Sequence, residues 1–590
     1  MKFDLYVRIC RTAQTKDFRR GFISHFCCTR GFRSVVGFNR MNNCFRRFCT
    51  ISLLTLLASS TIVTAQSHHD HGGAAGDAEA LVGKFGSVHM SISCDASVQV
   101  PFERGIALLH SFWYEEANKQ FQAVAKADPQ CAMAQWGLAM TEWRPLWDGM
   151  PEDRRKAGVA EIEKATALYP KTDREQRYVA ALSGYLHADP AQHDQALHAY
   201  SDAMSALSKA YPDDIEAQAF YGLVLVVSVG KADPVGDARK ALAVLKPGFD
   251  AHPDHPGFAH YIIHTCDNPQ IASEGLAAAK RYASIAPSSA HALHMPSHIF
   301  ARLGMWPEDI ESNKASVVAS EYAEKHHLGG VTHEMHAYEF LLYAYLQQGD
   351  DAEARRILDN TEQLAAHLSA LPGIANDGMG RRITYIQVEY PSFYHLEMHD
   401  WTSVLSIPEP ANATASAKYL RAWAQAIAAG HVRNADAADN ASATAQRYAE
   451  AAHEEHTPIG WEVGATLATV KAWQSFAHNQ DEAALRQIRE SADSQDRLGQ
   501  SEVDVPAREM YGDMLLLLHR PAEALAQYRT ALQLSPNRYN GLYNAGRAAE
   551  AIGKPDEALH YYSRLLKVTN DGVNSHRLEV SYARNYIQKR

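Results

Sequence analysis

Small and aromatic residues recur along this chain in a fixed order, and that order reads as paired helices. Ala524 is followed four residues later by Tyr528 and eight further on by Pro536, and Ala117, Phe121 and Pro129 repeat the spacing. Gly105 stands twelve residues before Ala117, as Gly512 stands twelve before Ala524. The small residues let two helices approach, the aromatic ring fills the space between them, and the proline ends the second helix. The run Pro521-Ala522-Glu523-Ala524-Leu525 returns as Pro555-Asp556-Glu557-Ala558-Leu559, a shift of 34 residues. Weaker pairs end near Pro170, Pro212, Pro253 and Pro287, with insertions at 144–155 and 228–236. Ala435–Ala452 is alanine-rich and helical, and no Val/Ile-rich alternating run suggests a sheet. The pattern predicts an all-α chain.

A period of this length and composition resembles the tetratricopeptide repeat, in which helix A, a short turn and helix B stack into a right-handed superhelix. The match is strongest at 98–131, 335–368, 505–536 and 539–570. The resemblance implies a superhelical solenoid of about 11–12 helix pairs. An N-terminal array is expected over 97–375 and a C-terminal array over 376–590.

The start of the chain changes the meaning of the overall charge. Residues 1–50 hold eleven Lys/Arg and two Asp/Glu, and 51–65 hold no charge. The net −11 is therefore a basic leader joined to a body with 46 basic and 66 acidic residues. So acidic a body argues against nucleic acid and anionic membrane surfaces as partners. Arg46 and Arg47, the apolar run Ile51–Val63 and the small residues of Val63-Thr64-Ala65 form a signal peptide over 41–65, starting at Met41. Residues 1–40 read as an upstream extension from a mis-assigned start. Cleavage near Ala65 implies a secreted or periplasmic protein. No later segment reaches about 18 unbroken apolar residues, so no membrane span is expected in the mature chain. Residues 66–96, with His68-His69-Asp70-His71, are expected to form a flexible tail. Only Cys94, Cys131 and Cys266 follow the leader, which allows at most one disulfide; Cys131, beside Met133 and Trp136, reads as a packing residue.

Histidine is the unusual residue. Of 30 in the chain, eleven lie between 252 and 336. His260 and His264 are spaced i, i+4; His291, His294 and His298 are spaced i, i+3, i+7 and are expected on one helix face. Aligned with the tetratricopeptide pattern, these five fall with His336, Glu339 and Tyr343 at helix-A positions 2, 5 and 9. His110 falls at position 13. The resemblance implies that all nine face the concave groove, where such proteins bind ligands. Imidazole beside carboxylate also suits a divalent transition metal (Zn, Cu, Ni or Fe), with His260, His264, His291, His294, His298, His336 and Glu339 as the ligand pool. The segments Ala259-His260-Tyr261-Ile262-Ile263-His264, His291-Ala292-Leu293-His294-Met295-Pro296-Ser297-His298 and His336-Ala337-Tyr338-Glu339, with Phe102-Glu103-Arg104-Gly105, are similar to a bacterial family of exported tetratricopeptide proteins. That resemblance implies export and fold, and no reaction.

Enzyme motifs fail. His333-Glu334-Met335-His336 and His453-Glu454-Glu455-His456 are each one residue short of H-E-x-x-H, and nucleophile-elbow, P-loop and dinucleotide patterns are absent. The sequence points first to a scaffold that takes a protein or peptide partner in the groove near 256–345. A transition-metal-binding protein is the alternative. No catalytic residue is identified.

Overall fold

A computed structural model describes residues 83–146, 150–372, 382–455 and 464–590, all within one compact unit. The expected extension (1–40), signal peptide (41–65), tail histidines His68, His69 and His71, and His456 lie outside the described residues. Among the described residues every regular element is helical, and no helix is long and apolar enough to cross a membrane. Twelve helix pairs follow one another, from Gln99–His110 with Tyr114–Ala127 to Tyr539–Ala551 with Pro555–Val568. The eighth, Ile383–Glu397, has only the short partner Trp401–Leu405, and Leu578–Gln588 closes the chain. This is the tetratricopeptide-type solenoid that the repeat predicts.

The interlock is the one legible in the repeat. A Cβ on Gly105 or Gly137 would lie 2.6 Å from the Phe121 ring, so only glycine lets that aromatic sit between two helices. Helix starts carry proline in the first turn, as at Pro256, Pro521 and Pro555, or side-chain caps such as Asp214, Ser289 and Asp350.

Two findings depart from the sequence reading. Residues 83–96, expected as tail, lie against the body: Met90 and Phe85 are buried, and Ser87 N donates to Asp254 O at 2.9 Å. Cys131 is buried as expected but bonded to Cys94. Both positions were available for the one bridge that the cysteine count allowed.

The array also turns back on itself. Arg302 donates to Gln500 O, Trp306 Nε1 to Asn537 O at 2.9 Å, and the Tyr343 hydroxyl to Asp504 O at 2.8 Å. Gly304 adopts φ +63 and meets the Pro536 carbonyl so closely that a side chain has no room. Residues 496–505 and 536–540 therefore cover the middle helices. Among the described residues the apolar core has two large parts, one running from Phe85 to Phe300 and the other from Ala301 to Ala583, beside a small cluster at Ala429, Ala438 and Ala477. The two large parts meet in the helix Pro296–Arg302, which carries His298.

Candidate metal centre

Three stretches of helix bring the imidazoles together: Pro256–Thr265, the broken pair Ala290–His294 and Pro296–Arg302, and His333–Gln348. Pro296 has no N–H to continue the helix, so Ala290–His294 ends at Met295 and a second helix starts at the proline. The row expected for His291, His294 and His298 is divided all the same, but between His291 and His294, which share the helix Ala290–His294. His291 joins His260 and His264, whereas His294 and His298 join His336.

In the first set, His260 Nε2 lies 3.0 Å from His291 Nε2 and 3.1 Å from His264 Nε2. His260 is fully buried, and its Nδ1 donates to the carbonyl of His110 at 2.6 Å. That carbonyl belongs to the last residue of the helix Gln99–His110, where intrahelical partners run out. The bond fixes the tautomer: Nδ1 carries the proton, and the Nε2 lone pair faces the other two rings.

The second set is anchored at every ring. His294 Nδ1 lies 2.6 Å from Asn313 Oδ1. The amide is oriented by its nitrogen, which donates to Asp309 O at 3.0 Å and Asp309 Oδ1 at 2.9 Å, so its oxygen is left to accept from His294. His298 Nδ1 donates to Asp267 Oδ2 at 2.8 Å and Glu502 Oε1 at 2.7 Å. His336 Nδ1 donates to Glu339 Oε2 at 2.8 Å, and Arg382 holds the same oxygen at 2.9 Å. The Nε2 atoms of His294 and His298 then face each other at 2.9 Å.

Protonation follows burial and the carboxylates. Burial depresses His264, His291 and His294 well below the usual imidazole range, and takes His260 and His333 down to about 3. Burial likewise lowers His336, against the pull of Glu339. His298 is the exception. Burial opposes its charge, but Asp267 and Glu502 raise it to about 10. Without an ion, His298 therefore carries a proton on Nε2 and donates it to His294. An ion entering the second set displaces that proton.

One phenylalanine flanks each set. The Phe112 ring centroid lies 4.3, 5.7 and 5.7 Å from those of His260, His264 and His291. Phe340 lies 4.8, 4.9 and 5.2 Å from His294, His298 and His336.

Three predicted site residues fall elsewhere. His110 is buried one layer behind the first set: its Nε2 donates to Glu216 Oε2 at 2.6 Å, and its Nδ1 accepts from the Tyr261 hydroxyl at 2.8 Å. Glu216 also accepts from His255 at 3.1 Å; burial opposes its charge, and the two histidines hold it far below the carboxylate range. Glu339 orients His336 and stands behind the ring of nitrogens. Tyr343, expected in an open groove, is covered by the returning C-terminal helices and receives Arg538 on its hydroxyl.

Sequence reading missed His333, whose ring lies 5.0 Å from that of His291, and the anchors Asp267, Asn313 and Glu502. His333 had a signal, its place one turn before His336. Glu502, 204 residues from His298, had none.

No family model matches the chain, and no curated protein matches it. Among solved structures the chain is similar to the TPR domain of P58(IPK), at 12% identity over 84% of this chain and 99% of that one, with a TM-score of 0.20. It is also similar to a human IFIT1 dimer with m7Gppp-AAAA, at 13% identity over 74% of this chain and 90% of that one, with a TM-score of 0.34. Superpositions this loose carry nothing about function.

Proposed function

We propose that this chain binds transition-metal ions through the imidazoles of His260, His264, His291, His294, His298 and His336. The observation that carries the reading is the direction of the rings. In the second set all three Nδ1 atoms are held by oxygen acceptors, the Nε2 atoms of His294 and His298 face each other, and a ring nitrogen of His336 lies within 4.8 Å of the ligand nitrogens of both. Ligating histidines are oriented in this way by a partner on the other ring nitrogen. Tetrahedral coordination at metal–nitrogen distances of about 2.0–2.1 Å puts ligand nitrogens about 3.3 Å apart. The separations of 2.9–3.1 Å found here need little adjustment to reach that value. Imidazole-only donors suit copper and zinc above calcium or magnesium.

The solenoid architecture also fits an interaction scaffold, but the partner surface expected at Tyr343 is covered by the chain itself. A protein partner would use another face. Export remains our reading of residues 41–65, and the Cys94–Cys131 disulfide supports an oxidising compartment.

Elemental analysis of the purified chain, loaded with copper or zinc and dialysed, tests the proposal. Stoichiometric metal is expected, with its loss in a His260→Ala/His294→Ala double variant. A wild-type chain that retains no metal would overturn the reading.

A further inference from the structure

We infer that the six histidines hold two ions side by side, and that the ion in the His260–His264–His291 set takes a small anion from an adjoining cavity. The inference rests on the metal-binding reading above and deepens it. The rings fall into two groups. In each set one nitrogen from every ring lies within 4.8 Å of the others, whereas ring centroids separate the sets less sharply, reaching 6.2 Å for His264–His291 within the first. Across the sets, His264 and His298 stand 6.3 Å apart. An ion that reaches only about 2.0–2.1 Å to each nitrogen cannot satisfy both groups.

The two sets differ in charge and in access. The second set leans on the carboxylates of Asp267, Glu502 and Glu339, so the protein offsets the charge of an ion placed there. The anchor of His260 is a neutral carbonyl, and an ion in the first set keeps more of its charge. Three protein ligands leave a fourth position open, the arrangement found at sites where exogenous ligands bind. A small cavity lies beside this set, lined by Trp113, His291, Ala323, Gly330 and His333. Trp113 Nε1 donates to Gly329 O at 2.8 Å and holds the loop that walls the cavity. Of the six proposed ligands only His291 lines this cavity, which places it beside the first set and not the second.

Copper loading with azide as the probe tests this on the full chain. Two coppers per chain and one azide per chain are expected. His264→Ala is expected to keep one copper and lose azide binding, whereas His336→Ala keeps one copper and binds azide. Ala323→Leu, which fills the cavity beside His291 while replacing no ligand, is expected to keep both coppers and weaken azide about tenfold or more. Ala323→Val serves the same purpose with a smaller intrusion if the leucine variant does not fold. A single copper per chain would overturn the two-ion assignment. Azide affinity unchanged in a folded Ala323 variant would overturn the cavity route. A chain that binds no copper would defeat the metal-binding reading itself.

Discussion

At the scale of single residues, the chain repeatedly places an ionisable group where burial sets its charge. Asp513 accepts from the Tyr528 hydroxyl at 2.6 Å and from Asn544 at 3.1 Å. Burial, reinforced by Glu509, raises its carboxyl from 3.8 to about 7. Between those values the folded chain holds a proton that the unfolded chain has released, so stability falls as pH rises from about 4 through about 7. Asp513→Asn keeps both contacts and removes the titration. Its melting temperature is expected to rise relative to the unmodified chain at pH 8 and to show no such gain at pH 5. An equal shift at both pH values would contradict the assignment. The histidines teach the same lesson about legibility. The i, i+4 spacing of His260 and His264 announced that they share a face. Which ring nitrogen is free was set by a helix-end carbonyl, an amide and distant carboxylates, none of which spacing encodes.

At the scale of helices, small residues against rings define the pairs, and this was open to reading from the 34-residue shift. Gly105 faces Phe121, whereas Gly184, within the helix Asp173–Leu186, has nothing within 4 Å of an added Cβ. Gly105→Ala should therefore destabilise the chain by about 1–3 kcal/mol through overpacking. Gly184→Ala should stabilise it by about 0.5–1 kcal/mol through helix propensity. Denaturant midpoints of the two variants should move in opposite directions. The row His291–His294–His298 was legible as spacing; its division between two sets was not. Pro296 interrupts the helix between the second and third members, yet those two stay in one set. The division falls between His291 and His294, within one helix, because different neighbouring helices supply their partner histidines, and spacing along one helix does not encode that.

At the scale of the molecule, the return of residues 496–505 onto the middle helices links the histidine cluster to the C-terminal helix pairs. The repeat established stacking but not closure, because each pair specifies its contacts with its neighbours and closure depends on curvature accumulated over many pairs. Glu502 is where this return meets the middle helices: it accepts from His298 and pairs with Arg302 at 3.3 Å. An ion in the second set should therefore stabilise the whole array, since ligand binding to the folded state alone raises its stability. Glu502→Gln is expected to weaken metal binding about 10–100-fold, read by chelator competition, and to shrink the rise in melting temperature on metal loading. Affinity unchanged in that variant would mean that the carboxylate does not act through His298.

Six clustered imidazoles, four of them buried and two half-buried, are the proposed metal ligands. Anomalous scattering from crystals of the copper-loaded chain tests that assignment most directly. The expected result is density within about 2.0–2.1 Å of the converging Nε2 atoms of His294, His298 and His336 and of His260, His264 and His291. Loaded crystals with anomalous density only at surface histidines, and none between these rings, would contradict it.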